Sequence, residues 1–138
     1  MQKYDAIVLG IRAYNIVKEL KFKQKFLLEY VKNGGNMVVQ YNTIGEVDIA
    51  SPFPLRLSRD RVTNEFAQVI ILDDNHSLLN FPNKITNKDF KGWVQERGLY
   101  FPDSWSKEFT PILSMNDIGE EPKTGSLLIA KYGKGNYI

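Results

Sequence analysis

Three segments at the start of the chain restrict its fold more than anything that follows. Residues 4–10, Tyr-Asp-Ala-Ile-Val-Leu-Gly, form a short continuous apolar run ended by glycine, the pattern of a strand buried on both faces. From Val17 to Lys32, Leu20, Phe26, Leu27, Tyr30 and Val31 recur near helical spacing, while Lys18, Lys21, Lys23, Lys25 and Lys32 can point to water. Gly34-Gly35 then supplies a helix C-cap, and residues 37–40, Met-Val-Val-Gln, read as a second buried strand. Strand, helix and strand within about 40 residues is a βαβ unit, which requires two parallel strands joined by a right-handed crossover. Ligand sites in open parallel sheets lie outside the carboxyl ends of the strands. Those ends are residues 10–15 and residues 40–43.

The second half has a different texture. Pro52, Pro54, Pro82, Pro102, Pro111 and Pro122 all follow residue 50, which favours short strands and ordered loops over long helices. Residues 55–58, 67–72 and 111–115 read as strands, with helical turns expected near 74–81 and 88–93. Residues 126–132 and 135–138 flank Gly133-Lys134, as the two arms of a β-hairpin would. The sequence ends inside the second arm, so residues 1–138 are expected to be one partial domain, truncated at both ends, of a longer polypeptide. The fold class expected is α/β, with a mainly parallel sheet, flanking helices and a C-terminal hairpin.

Composition limits the partners and the chemistry. With 138 residues, 43% hydrophobic content and 25% charged residues, the chain has the makings of one domain with its own core. A formal net charge of +2 gives no electrostatic reason to expect nucleic acid or an anionic membrane. No apolar run approaches the roughly 20 residues of a membrane span, and residues 1–5 carry no signal-peptide pattern. Without cysteine there is no disulfide, thiolate nucleophile or cysteine-based zinc site.

The residue just past a strand in α/β hydrolases is often the nucleophile, because the sharp turn into the next helix exposes it. Here that place holds Gln40, Tyr41, Asn42 and Thr43. A tyrosine with a pKa near 10 would need strong activation to serve. His76, the single histidine, sits in an Asp73-Asp74-Asn75-His76 run that reads as a polar turn; catalytic zinc usually takes three protein ligands. Gly133-Lys134-Gly135 lacks the upstream glycine and following Ser or Thr of a phosphate loop, and a hairpin turn accounts for it. No catalytic residue, metal site or cofactor is expected. The densest aromatic stretch, residues 93–105, combines Trp93, Tyr100, Phe101 and Trp105 with adjacent Glu96 and Arg97. Aromatic faces beside polar groups suit sugars, whose C–H faces stack on rings, although loop packing explains the same residues. The candidate ligand-binding set is Arg12, Asn15, Gln40, Tyr41, Asn42, His76, Trp93, Glu96 and Arg97.

The strand at 4–10, its helix, Tyr30-Val31-Lys32-Asn33-Gly34-Gly35 and the hairpin at 131–135 resemble the class I glutamine amidotransferase-like superfamily, particularly its ThuA-like branch. Residues 10–15, 40–43, 85–87 and 92–102, with the final hairpin, more closely resemble the C-terminal region of Bacteroidetes-type PIG-L (LmbE-like) deacetylases. The resemblance implies a flavodoxin-like sandwich acting as a non-catalytic accessory domain beside a zinc-dependent domain that removes N-acetyl groups from amino sugars. The implied partners are that catalytic domain and a carbohydrate. The chain departs from an active amidotransferase in lacking the elbow cysteine, and it lacks the Pro-His-x-Asp-Asp run of the deacetylases. Two alternatives stand beside it: a ThuA-like sugar-active enzyme with Glu96 or His76 as acid or base, and a structural or oligomerising domain.

Overall fold

The computed structural model describes residues 3–44, 50–95 and 97–138. Its strands are β1 (Ala6–Leu9), β2 (Asn36–Val39), β3 (Leu55–Leu57), β4 (Arg61–Val62), β5 (Ile70–Ile71), β6 (Gly98–Leu99), β7 (Pro102–Trp105), β8 (Phe109–Pro111), β9 (Leu113–Ser114), β10 (Leu128–Tyr132) and β11 (Gly135–Tyr137). The α-helices are α1 (Ala13–Ile16), α2 (Leu20–Lys32) and α3 (Ser77–Asn80), with a 3-10 turn over Asn87–Phe90. The fold is mixed α/β, built around a five-stranded sheet in the order β1-β2-β11-β10-β8.

The expected βαβ unit is present: β1 and β2 pair in parallel, Ala6 opposite Asn36 through Leu9 opposite Val39. Helix α2 between them ends in a Schellman arrangement. The Gly34 N–H donates to the Val31 carbonyl at 2.9 Å and the Gly35 N–H to Tyr30 at 3.1 Å, with Gly34 at φ 116°, a value glycine tolerates. The C-terminal hairpin also forms, with Gly133 at φ 62° in its two-residue turn and β10 antiparallel to β11. Strand β11 then lies parallel to β2, and β10 pairs antiparallel with β8. The sheet is thus mixed where a mainly parallel one is expected: β1, β2 and β11 pair in parallel, and β10, running against both of its neighbours, makes the other two pairings antiparallel.

Leu27, Tyr30 and Val31 of α2 pack on one sheet face against Met37, Ala130, Leu128 and Tyr137, with Tyr14 and Phe109 closing the cluster. Gly135 permits this approach: a methyl group there would overlap the carbonyl oxygens of Val31 and Gly35. Phe26, expected on the buried side, is 58% exposed. Strand β1 departs from expectation as well. Ile7 and Leu9 join the core, but Val8 is 59% exposed on the opposite face. An apolar run cannot reveal whether both faces are covered, and here one is.

A second cluster, formed by Val62, Val69, Leu79, Phe101, Ile112, Leu113 and Met115, packs around the small two-stranded sheets of the second half and receives Ile129 from β10. Those sheets pair β3 with β7, β4 with β6 and β5 with β9. The strand expected over 67–72 contracts to Ile70–Ile71, and the one over 111–115 is split between β8 and β9. Helical turns do occur at 77–80 and 87–90. No helix among the described residues is long and apolar enough to cross a membrane.

Candidate functional site

A cavity of about 370 Å³ opens at the carboxyl ends of β2 and β11. Val39, Gln40, Tyr41 and Asn42 form one wall, Tyr137 and Ile138 the floor, and residues 97–102, Leu55, Leu57 and the 125–128 segment the opposite side. Its position follows from topology, since neighbouring parallel strands release their chains at the same end of the sheet.

The loop leaving β2 is held rigidly by the loop leaving β1. The Gln40 N–H donates to the Leu9 carbonyl at 3.0 Å, and the Arg12 N–H to the Tyr41 carbonyl at 2.6 Å. Arg12 reaches this position in a left-handed conformation, φ 59°. Asn42 is buried; its carbonyl oxygen accepts the Tyr14 N–H at 3.2 Å and its amide donates to the Gln40 carbonyl at 2.7 Å. Asn15 and Thr43 exchange two hydrogen bonds, at 3.2 and 2.8 Å. Asn15 and Asn42, read from sequence as ligand contacts, therefore spend their polar groups on shaping the loop. Arg12 does so through its backbone.

Across the cavity, Arg97 ties three segments together. Its Nε donates to the Ala67 carbonyl at 3.0 Å, its Nη1 to Phe90 at 2.6 Å, and its N–H to Val62 at 2.9 Å. Tyr41 and Tyr100 face each other with ring centroids 6.0 Å apart and planes inclined by 39°. Tyr100 also sits in the left-handed region, φ 57°, an unusual conformation for a bulky residue and one that directs the chain past the cavity. Tyr137 also lines the cavity, buried, with no hydrogen-bond partner for its hydroxyl among the described residues; burial raises its pKa well above the usual tyrosine value.

Four of the nine candidate residues, Gln40, Tyr41, Asn42 and Arg97, therefore line one cavity, with Arg12 and Asn15 supporting it from behind. His76 and Trp93 belong elsewhere. His76 caps α3, its Nδ1 accepting the Leu78 N–H at 3.2 Å, and Trp93 stacks edge-on against Phe90 at 5.5 Å. Glu96 lies outside the described residues. Sequence reading passed over Tyr100, Ser126 and Tyr137 as individual contacts. Tyr100 was signalled by the aromatic stretch around it, whereas the other two enter through the hairpin's place in the sheet.

Among the described lining residues there is no carboxylate or imidazole, and no group of three or more His, Asp or Glu suited to a metal occurs among the described residues. The lining can hold a ligand by apolar contact, ring faces and hydrogen bonds. Comparison with protein-family models, with curated proteins and with solved structures finds no match to the chain.

Proposed function

We propose that this chain is a binding module of flavodoxin-like type, an accessory domain of a PIG-L/LmbE-like N-acetyl-sugar deacetylase, that holds a carbohydrate at the carboxyl ends of β2 and β11. The observation that carries the reading is the cavity itself. It combines apolar walls and a facing tyrosine pair with exposed Gln40 and Ser126, and its described lining lacks acid–base side chains. Sugars are bound by this mixture, their C–H faces against rings and their hydroxyls on amide and hydroxyl groups. The volume suits one or two sugar rings better than an extended polymer. The alternative of a sugar-active enzyme with Glu96 or His76 as acid or base loses His76, which is engaged as a helix cap away from the cavity, while Glu96 lies outside the described residues.

Amide NMR titration of the chain with N-acetylglucosamine and glucosamine tests the proposal. Saturable shifts confined to residues 40–42, 97–102 and 125–128 are expected, and Tyr100→Ala should weaken binding by roughly tenfold, the order expected for losing one ring contact. A dispersed spectrum that neither sugar moves would overturn the carbohydrate assignment.

A further inference from the structure

A separate feature lies on the outer side of α2. Residues 12–32 carry six basic side chains, Arg12, Lys18, Lys21, Lys23, Lys25 and Lys32, against two acidic ones, Glu19 and Glu29. The whole chain is only +2, so the remainder is net negative and the positive charge is concentrated on this segment. Within that charge stand two aromatic rings. Phe22 is 79% exposed and Phe26, one turn later, is 58% exposed. At roughly 100° per residue, Phe22 points away from the side on which Leu27 and Val31 enter the core. Lys25 flanks the pair on one side and Lys23 on the other, its Nζ 5.9 Å from the Phe26 ring centroid. Ile16 and Val17, just before the helix, are exposed as well.

We infer that this face docks on an anionic phospholipid surface, with Phe22 and Phe26 entering the headgroup layer and Lys18, Lys23 and Lys25 meeting lipid phosphates and carboxylates. Charge complementarity selects the occupant: two exposed rings flanked by Lys23 and Lys25, on a segment whose six basic residues outnumber Glu19 and Glu29, are the makeup of an interfacial helix. Shape agrees. None of these side chains lines the cavity at the carboxyl ends of β2 and β11, and a bilayer needs no groove, whereas a peptide ligand does. Balanced net charge conceals the feature at the level of composition, because fourteen of the sixteen acidic residues lie outside residues 12–32.

Co-sedimentation of the full chain with vesicles tests the inference, comparing phosphatidylcholine alone with a phosphatidylcholine–phosphatidylserine mixture at low and high salt. Binding to the anionic vesicles only, released by salt, is expected. Lys18→Gln/Lys23→Gln/Lys25→Gln should weaken it on the order of 100-fold at low salt, since each lysine near an anionic surface contributes about 1 kcal/mol. Phe22→Ser/Phe26→Ser should abolish sedimentation while leaving the thermal melt unchanged, and the lysine variant carries the test independently of that pair. Equal or absent binding to the two vesicle types overturns the inference. So does a self-association, measured by sedimentation velocity, that the phenylalanine variant removes, because the face would then belong to a second copy of the chain.

Discussion

At the residue scale, the buried hydroxyls are the most sensitive parts of the core. Tyr14 donates to Gln24 Oε1, and Gln24 in turn donates to the Ala50 carbonyl, so three segments are tied through one polar relay inside an apolar cluster. Desolvation raises the Tyr14 pKa to about 12, outweighing the hydrogen bond to Gln24, and it raises that of Tyr137 further. A group whose pKa is higher folded than unfolded contributes stability that is fully present below the unfolded value, near 10, and lost as pH rises through the folded value. The chain should therefore hold its melting temperature up to about pH 10 and lose it steeply toward pH 12. Phenolate absorbance should show Tyr14 and Tyr137 ionising together with unfolding. Tyr14→Phe should flatten part of the alkaline loss and cost about 1–3 kcal/mol at neutral pH, by leaving Gln24 Oε1 buried without its donor.

At the scale of elements, the loop after β2 is the most consequential piece, because it forms the cavity wall with little regular structure to hold it. Asn42 does that work by donating to the Gln40 carbonyl within the loop and accepting the Tyr14 N–H from α1. Asn42→Ala is expected to cost about 1–3 kcal/mol in urea unfolding and to broaden the amide signals of residues 40–43, whereas Gln40→Ala, at an exposed side chain, should leave stability within about 0.5 kcal/mol. The sequence showed where this loop is but not what its asparagines do, since an amide reads alike whether it faces a ligand or a neighbouring strand. Elements made by local rules were legible. Glycines at 34 and 133 mark a helix end and a hairpin turn because a positive φ is required at each. Strands β4 and β6 were not, because each is two residues long and exists only through pairing between segments some 37 residues apart. An even longer separation hid the ring contact of Tyr100 with Tyr41 in the β2 loop.

At the scale of the whole molecule, two apolar clusters must act as one for the cavity to keep its shape, since its walls come from both. Strand β10 joins them, with Leu128 and Ala130 facing the first cluster and Ile129 the second. A five-residue strand with opposite faces in two cores transmits the loss of either to the other, so unfolding should be a single cooperative transition. The two tryptophans report on the clusters separately. Trp105 packs against the first, and Trp93 touches Phe90, which packs against the second. Trp93→Phe and Trp105→Phe each leave one reporter, and their fluorescence midpoints in urea, each corrected for the variant's own stability by circular dichroism, should coincide with the backbone transition. Ile129→Ala should lower both midpoints equally, by about 2 kcal/mol, the lower end for an aliphatic truncation at a partly buried site. Two separated midpoints would mean that the clusters fold independently, and residues 97–102 would then close on the β2 loop as a docking step between two bodies.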